Sequence, residues 1–270
     1  MVSESTVASA EPAGRINYLW RLLATASAFT FFGIGGVLIP LLAAPVLLLI
    51  YPDRQVRQAR ARLLMSAVFR LFIHYMRLVG ILDWEYKNLD RLHRPGQLIL
   101  ANHPTLLDVV FLVALVPGAN CLVKAELLRN PAMRGFVSMT GFIFNDSGEQ
   151  LVELAATQLR GGTSLIIFPE GTRTRQGQRL QFQRGAAHIA LQADVAPTPV
   201  LIRCNPATLS KQHEWYDIPD RRFRMNISVH DELPIDDLVG EPSSVAARQL
   251  SRRLENYFSG ELHRNGTRAA

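Results

Sequence analysis

Two short stretches hold residue types that could do chemistry together. In Asn102-His103-Pro104-Thr105-Leu106-Leu107-Asp108 an imidazole and a carboxylate are separated by a turn-forming proline. A five-residue offset does not align two side chains on an ideal helix, but a turn at Pro104 followed by one helical turn brings Asp108 back towards His103. A carboxylate on one imidazole nitrogen sets the tautomer, and the other nitrogen is then a general base whose imidazolium is stabilised. Such assistance contributes about 10²–10⁴-fold in rate. On spacing alone, a purely structural His–Asp pair fits equally. The second stretch is Pro169-Glu170-Gly171-Thr172-Arg173-Thr174. Gly171 permits a tight backbone, while Thr172 and Arg173 offer hydroxyl, amide and guanidinium donors suited to a phosphate.

Both stretches need elements that place them. Strands are expected at Leu82 to Lys87, Gln97 to Ala101, Asn120 to Val123, Phe142 to Phe144, Ser164 to Phe168, Thr198 to Arg203 and Phe223 to Val229. Helices are expected near Leu106 to Leu115, Ala132 to Thr140, Glu149 to Leu159 and Gly185 to Ala193, with a closing helix over 242–258 and a frayed tail from Gly260. This alternation predicts an α/β fold, a mostly parallel sheet covered by helices. Both candidate stretches then fall at strand ends, where chemistry gathers in such folds.

The chain of 270 residues is expected to divide into an N-terminal part, 1–80, and a catalytic domain, 81–270. Residues 1–14 are small and polar, the composition of a disordered segment. No charged residue occurs between Arg21 and Asp53, and the stretch exceeds the roughly 20 apolar residues that span a bilayer. Gly33, Gly35, Gly36, Pro40 and Pro45 interrupt it, so a kinked or re-entrant hairpin is as good a reading as a straight span. The apolar region is too long, and starts too far from Met1, for a cleaved secretory signal. Residues 56–80 follow as an amphipathic helix with Arg57, Arg60, Arg62, Arg70 and Arg77, fit either for core packing or for a membrane surface. The whole is an N-terminal membrane-associated helical segment, and its positive-inside bias puts the rest of the chain on the cytoplasmic face of the cell inner membrane.

Taken together, the two motifs give the chain a resemblance to the lysophospholipid, or glycerolipid, acyltransferase family, whose signatures are NHxxxxD and, some sixty residues later, FPEGTRS. Asn102 to Asp108 and Phe168 to Thr174 match them, with Thr174 in place of the usual serine. Lys124-Ala125-Glu126-Leu127 looks like the family's lysine-containing segment, and Val195 to Ile202 like its proline-containing block. The resemblance covers about residues 80–230. It implies transfer of a fatty acyl group from acyl-CoA or acyl-carrier protein to a hydroxyl of a lysophospholipid-like acceptor, most simply 1-acylglycerol-3-phosphate. By the same resemblance His103 is the base and Asp108 its partner, while Asn102, Lys124, Glu170, Gly171, Thr172 and Arg173 bind substrate. No covalent acyl-enzyme and no cofactor are implied, and the partners are membrane lipid and the acyl thioester. One departure stands out: the family's Gly-x-x-Phe followed by arginine is here Gly141-Phe142-Ile143-Phe144 followed by Asn145, Asp146, Ser147 and Gly148. Acidic groups where a phosphate would meet a cation leave open an acceptor other than lysophosphatidate, as in specialised lipid or polyene pathways.

Other readings are weaker. The net charge of +6 permits anionic lipid, acidic carrier proteins or nucleic acid as partners, but no zinc-finger spacing or recognition helix supports nucleic acid. No metal is expected, because HExxH and P-loop patterns are lacking and His74, His93, His188, His213, His230 and His263 have no partner at a ligand's spacing. A Ser-His-Asp hydrolase would show a GxSxG elbow, and Gly162-Thr163-Ser164-Leu165-Ile166 does not provide one. A catalytically silent lipid-binding scaffold would keep the fold without needing His103, Asp108 and Glu170. Cys121 and Cys204 form no CxxC pair and suit buried, reduced thiols. Arg184 is read as an exposed helix-start residue, and Arg221, Arg222 and Arg224 as a basic, solvated edge. Oligomeric state is not encoded in any of these patterns.

Overall fold

The structure, a computed structural model, describes residues 14–145, 148–173, 178, 180–238 and 241–266. Its centre is a seven-stranded sheet in the order β1-β7-β6-β2-β5-β3-β4. The strands are β1 (Leu82–Lys87), β2 (Leu98–Ala101), β3 (Asn120–Val123), β4 (Ile143–Phe144), β5 (Leu165–Ile167), β6 (Pro197–Asn205) and β7 (Phe223–Val229). All neighbours pair in parallel except β6 and β7, where Val200 to Asn205 run antiparallel to Arg224 to Val229. β2 and β5 are apolar at every position because both faces are covered. Ile99 and Ala101 of β2 face one core, and Leu98 and Leu100 the other.

Helices form the two outer layers. α3 (Asp108–Leu115) and α4 (Pro131–Thr140) share the first core with α2 (Arg54–Leu78), which buries Met65, Phe69, Phe72, Ile73 and Met76. α5 (Gly148–Arg160), α6 (Gly185–Ala193) and α7 (Ser243–Gly266) pack on the opposite face around Ala155, Ala187, Ala190, Leu250 and Phe258. The sheet and most helices lie where the sequence places them. Several bounds shift by a residue or two; in particular α3 starts at Asp108 instead of Leu106, after a turn, and α7 continues past Gly260 to Gly266. The expected disorder of residues 1–14 falls almost wholly outside the described residues.

The largest difference concerns α1, one continuous helix from Arg15 to Ile50 with Pro40 and Pro45 inside it. A re-entrant hairpin does not form. The small residues that suggested one are packing residues instead: a Cβ on Gly36 would lie 2.1 Å from the Ala132 carbonyl oxygen of α4, and one on Gly135 of α4 would lie 2.5 Å from Pro40 Cβ. Backbones therefore approach where side chains are smallest, as in small-residue crossings within membranes. Beyond this contact Leu41, Leu42, Val46, Leu48, Leu49 and Ile50 are exposed, on a helix long and apolar enough to cross a bilayer. α2 uses one face for core packing, and Arg62 turns inward to donate to the carbonyls of Gly118 and Thr140 at 2.9 and 3.0 Å. Ala24 and Ala28 of α1 belong to the same core as the sheet, so the N-terminal helices are built into the domain.

Candidate active site

β2 and β5 are adjacent and parallel, with Leu98 opposite Leu165 and Leu100 opposite Ile167. Their C-terminal ends therefore bring His103 and Glu170 side by side although 67 residues separate them. Glu170 Oε1 accepts the His103 backbone N–H at 2.8 Å, and the Phe168 ring packs on the imidazole with centroids 4.5 Å apart.

The turn from 103 to 108 is wired internally. Asp108 Oδ2 lies 2.8 Å from His103 Nδ1 and also accepts the Thr105 backbone N–H at 2.7 Å, while Oδ1 accepts the Thr105 hydroxyl at 2.7 Å. Thr105 Oγ1 in turn accepts the Leu107 N–H at 3.1 Å. Asp108 also opens α3, where a helix N-terminus favours a negative charge. Complete burial raises its carboxyl above the usual carboxylate range, and the bonds from His103 and Thr105 pull against that rise. The turn and these three bonds, rather than a turn of helix, bring carboxylate and imidazole together. With Nδ1 engaged, the imidazole is oriented by its partner and presents its other nitrogen for proton transfer.

His103 lines a cavity of about 630 Å³ enclosed by α1, α2, α4, the strand ends and the loop joining β6 to β7. Lys124, Gly171, Thr172 and Arg173 line it too. Gly171 has φ +66°, and a Cβ there would lie 2.7 Å from Gln183 Nε2, so both conformation and space call for glycine. Arg173 Nη1 donates to the carbonyls of Leu209 and Ser210 at 3.0 and 3.2 Å, which holds the guanidinium against the β6–β7 loop. Arg184 is exposed at the start of α6, as expected, while Arg221 belongs to the cavity wall.

Two residues expected to bind substrate make bonds within the protein. The Asn102 amide donates to the Ile202 carbonyl at 2.8 Å and accepts the Ile202 N–H at 2.7 Å, so both its ends tie β2 to β6. Glu170 is 6% exposed and turned to the His103 backbone. Conversely, the sequence offered no sign that Arg21, Thr25, Phe29 and Phe32 of α1, or Trp215 and Ile218 of the β6–β7 loop, are cavity residues. Phe29 and Trp215 meet at 6.0 Å, closing one side. Among the described residues no group of His, Cys, Asp and Glu is arranged to hold a metal ion.

The helix-covered, mostly parallel sheet has a counterpart among solved structures, and part of the sequence has relatives among known proteins. Residues 83–203 match the model of the Acyltransferase family. Among its relatives, the human 1-acyl-sn-glycerol-3-phosphate acyltransferase alpha is 31% identical over 171 residues, covering 59% of this chain and 58% of that one. The 1-acyl-sn-glycerol-3-phosphate acyltransferase of Pseudomonas aeruginosa is 27% identical over 188 residues, covering 67% of this chain and 68% of that one. The match spans about half the length of the sheep relative, 52%. The crystal structure of the 1-acyl-sn-glycerophosphate acyltransferase of Thermotoga maritima superposes with a TM-score of 0.64 over 89% of this chain and 97% of that chain; at 19% identity the likeness concerns the fold.

Proposed function

We propose that the protein is an O-acyltransferase that moves a fatty acyl group from acyl-CoA or acyl-carrier protein to the free hydroxyl of a lysophospholipid of the 1-acylglycerol-3-phosphate type. The observation that carries this reading is the 2.8 Å His103–Asp108 pair opening onto a largely apolar cavity that also holds Lys124 and Arg173. In this reading His103 Nε2 takes the acceptor's hydroxyl proton as its oxygen attacks the thioester carbonyl. Collapse of the tetrahedral adduct breaks the carbon–sulfur bond, and the departing thiolate takes the proton back from the imidazolium. The ester and a free thiol are the products, with no acyl-enzyme. Asp108 keeps the imidazole oriented and stabilises its charged form. Gly171, Thr172, Arg173 and Lys124 hold the acceptor, and Asn102 and Glu170 hold the two strand ends that carry the base.

The exposed apolar half of α1 supports residence at a membrane, with the catalytic domain on the cytoplasmic face of the inner membrane following from the arginines after α1. A second reading keeps the chemistry and changes the acceptor, because the cavity wall carries Asn145 where the family resemblance leads one to expect a cation further on. The test is acylation of a lysolipid panel by protein in nanodiscs, with labelled acyl-CoA and acyl-carrier protein offered separately. The wild type forms an acylated lipid and His103→Ala loses at least about 10²-fold of that rate. Thioester loss without acylated product, or full activity in His103→Ala, would sink the mechanism.

A further inference from the structure

Arg21 is 5% exposed and faces the cavity from α1. Among the described residues its side chain has no hydrogen-bond or ion-pair partner, and its buried Nε is unsatisfied. A guanidinium stays charged at any working pH, and burying it without a counter-charge is costly. The same helix face continues through Thr25, one turn on, to Ala28, Phe29, Phe32 and Gly33, all lining the cavity. Trp20, next to Arg21, donates its indole N–H to the Val79 carbonyl at 3.0 Å, which fixes this end of the helix against the turn that leads into β1. A fixed cation and a hydroxyl thus stand at one end of an apolar stripe, a pattern matched by a molecule with an anionic head and a hydrocarbon chain.

We infer that Arg21 and Thr25 form a receptor for the phosphate monoester of a single-chain lipid whose chain lies along Phe29 and Phe32. The inference rests on the acyl-transfer reading only for its choice of lipid. The planar fork of arginine suits phosphate oxygens, and an incoming phosphate supplies the counter-charge that the protein lacks there. A lipid headgroup and free phosphate share this chemistry; the apolar stripe beside it selects the lipid. Arg21 would then supply, from α1, a cation at the cavity that position 145 does not.

The fluorescence of Trp20 and Trp215 reports binding without turnover. Wild-type protein in detergent is titrated with a short-chain lysophosphatidate, with the neutral monoacylglycerol of the same chain, and with inorganic phosphate. Expected is an affinity for lysophosphatidate about 10–100-fold above that for monoacylglycerol, the scale of one bond to a charged group. Arg21→Met should cut that preference about tenfold, leave monoacylglycerol affinity unchanged and melt no lower than wild type, and Arg21→Lys should restore part of it. A preference that survives Arg21→Met undiminished, or equal loss of both ligands with a lower melting temperature, would overturn the proposal. Inorganic phosphate binding as tightly as the lysolipid would overturn the lipid source. The acyl-transfer reading fails separately, if the wild type shows the preference yet forms no ester; the receptor fails alone if ester forms and Arg21→Met keeps the preference.

Discussion

A bond from a carboxylate to a backbone N–H does not move a proton, but it fixes where the next side chain stands. Glu170 does this for His103, at 2.8 Å, and so joins the end of β5 to the imidazole that follows β2. Glu170→Gln keeps an acceptor oxygen and loses the charge assistance, so kcat should fall about tenfold with little change in the acceptor KM. A rise in KM alone would return Glu170 to the acceptor. Burial likewise determines the behaviour of Cys121, 0% exposed, whose thiol is pushed up to about 12. In the unfolded chain a thiol titrates near 8.5. The folded state therefore holds this proton more tightly, and the stability it contributes is complete below about pH 8.5 and declines towards pH 12. Thiol labelling at pH 8 should spare Cys121 in folded protein and reach it in denaturant; rapid labelling of the native thiol would refute this. The His103–Asp108 pair and the EGTR turn were legible because their residues are local. The commitment of Asn102 to Ile202 was not, since the partner strand is 100 residues away.

Strands such as Leu82–Lys87, Asn120–Val123 and Phe223–Val229 match their sequence boundaries to the residue, and in LDWEYK and FRMNISV the alternation of apolar with polar side chains is the mark a half-buried strand leaves in sequence. Glycine and proline misled in α1, where they serve contact between helices instead of a break. That contact gives a graded test. Gly36→Ala places a Cβ against the Ala132 backbone and should destabilise by about 1–3 kcal/mol, whereas Gly33→Ala meets nothing within 4 Å and should stabilise by roughly 0.5–1 kcal/mol. Urea midpoints in one detergent would compare them, and equal shifts would mean that α1 and α4 do not meet in this way.

Strand order and the antiparallel β6–β7 pair arise from contacts across the whole chain, which local periodicity does not encode. The cavity is likewise a property of the whole: α1, α2 and the β6–β7 loop each supply part of a wall. The α1 residues that line it read in the sequence only as part of an apolar, membrane-associated stretch. Cutting away a membrane anchor is the common route to a soluble fragment, and here that route removes a structural wall. A fragment beginning at Asp53 would uncover Phe69, Phe72 and Phe136, which pack beneath α1. It should be recovered as aggregate, with a monodisperse, folded fragment as the contrary result. An exposed apolar stretch and a wall of the cavity share a single helix, so solvating the one with detergent must be expected to loosen the other.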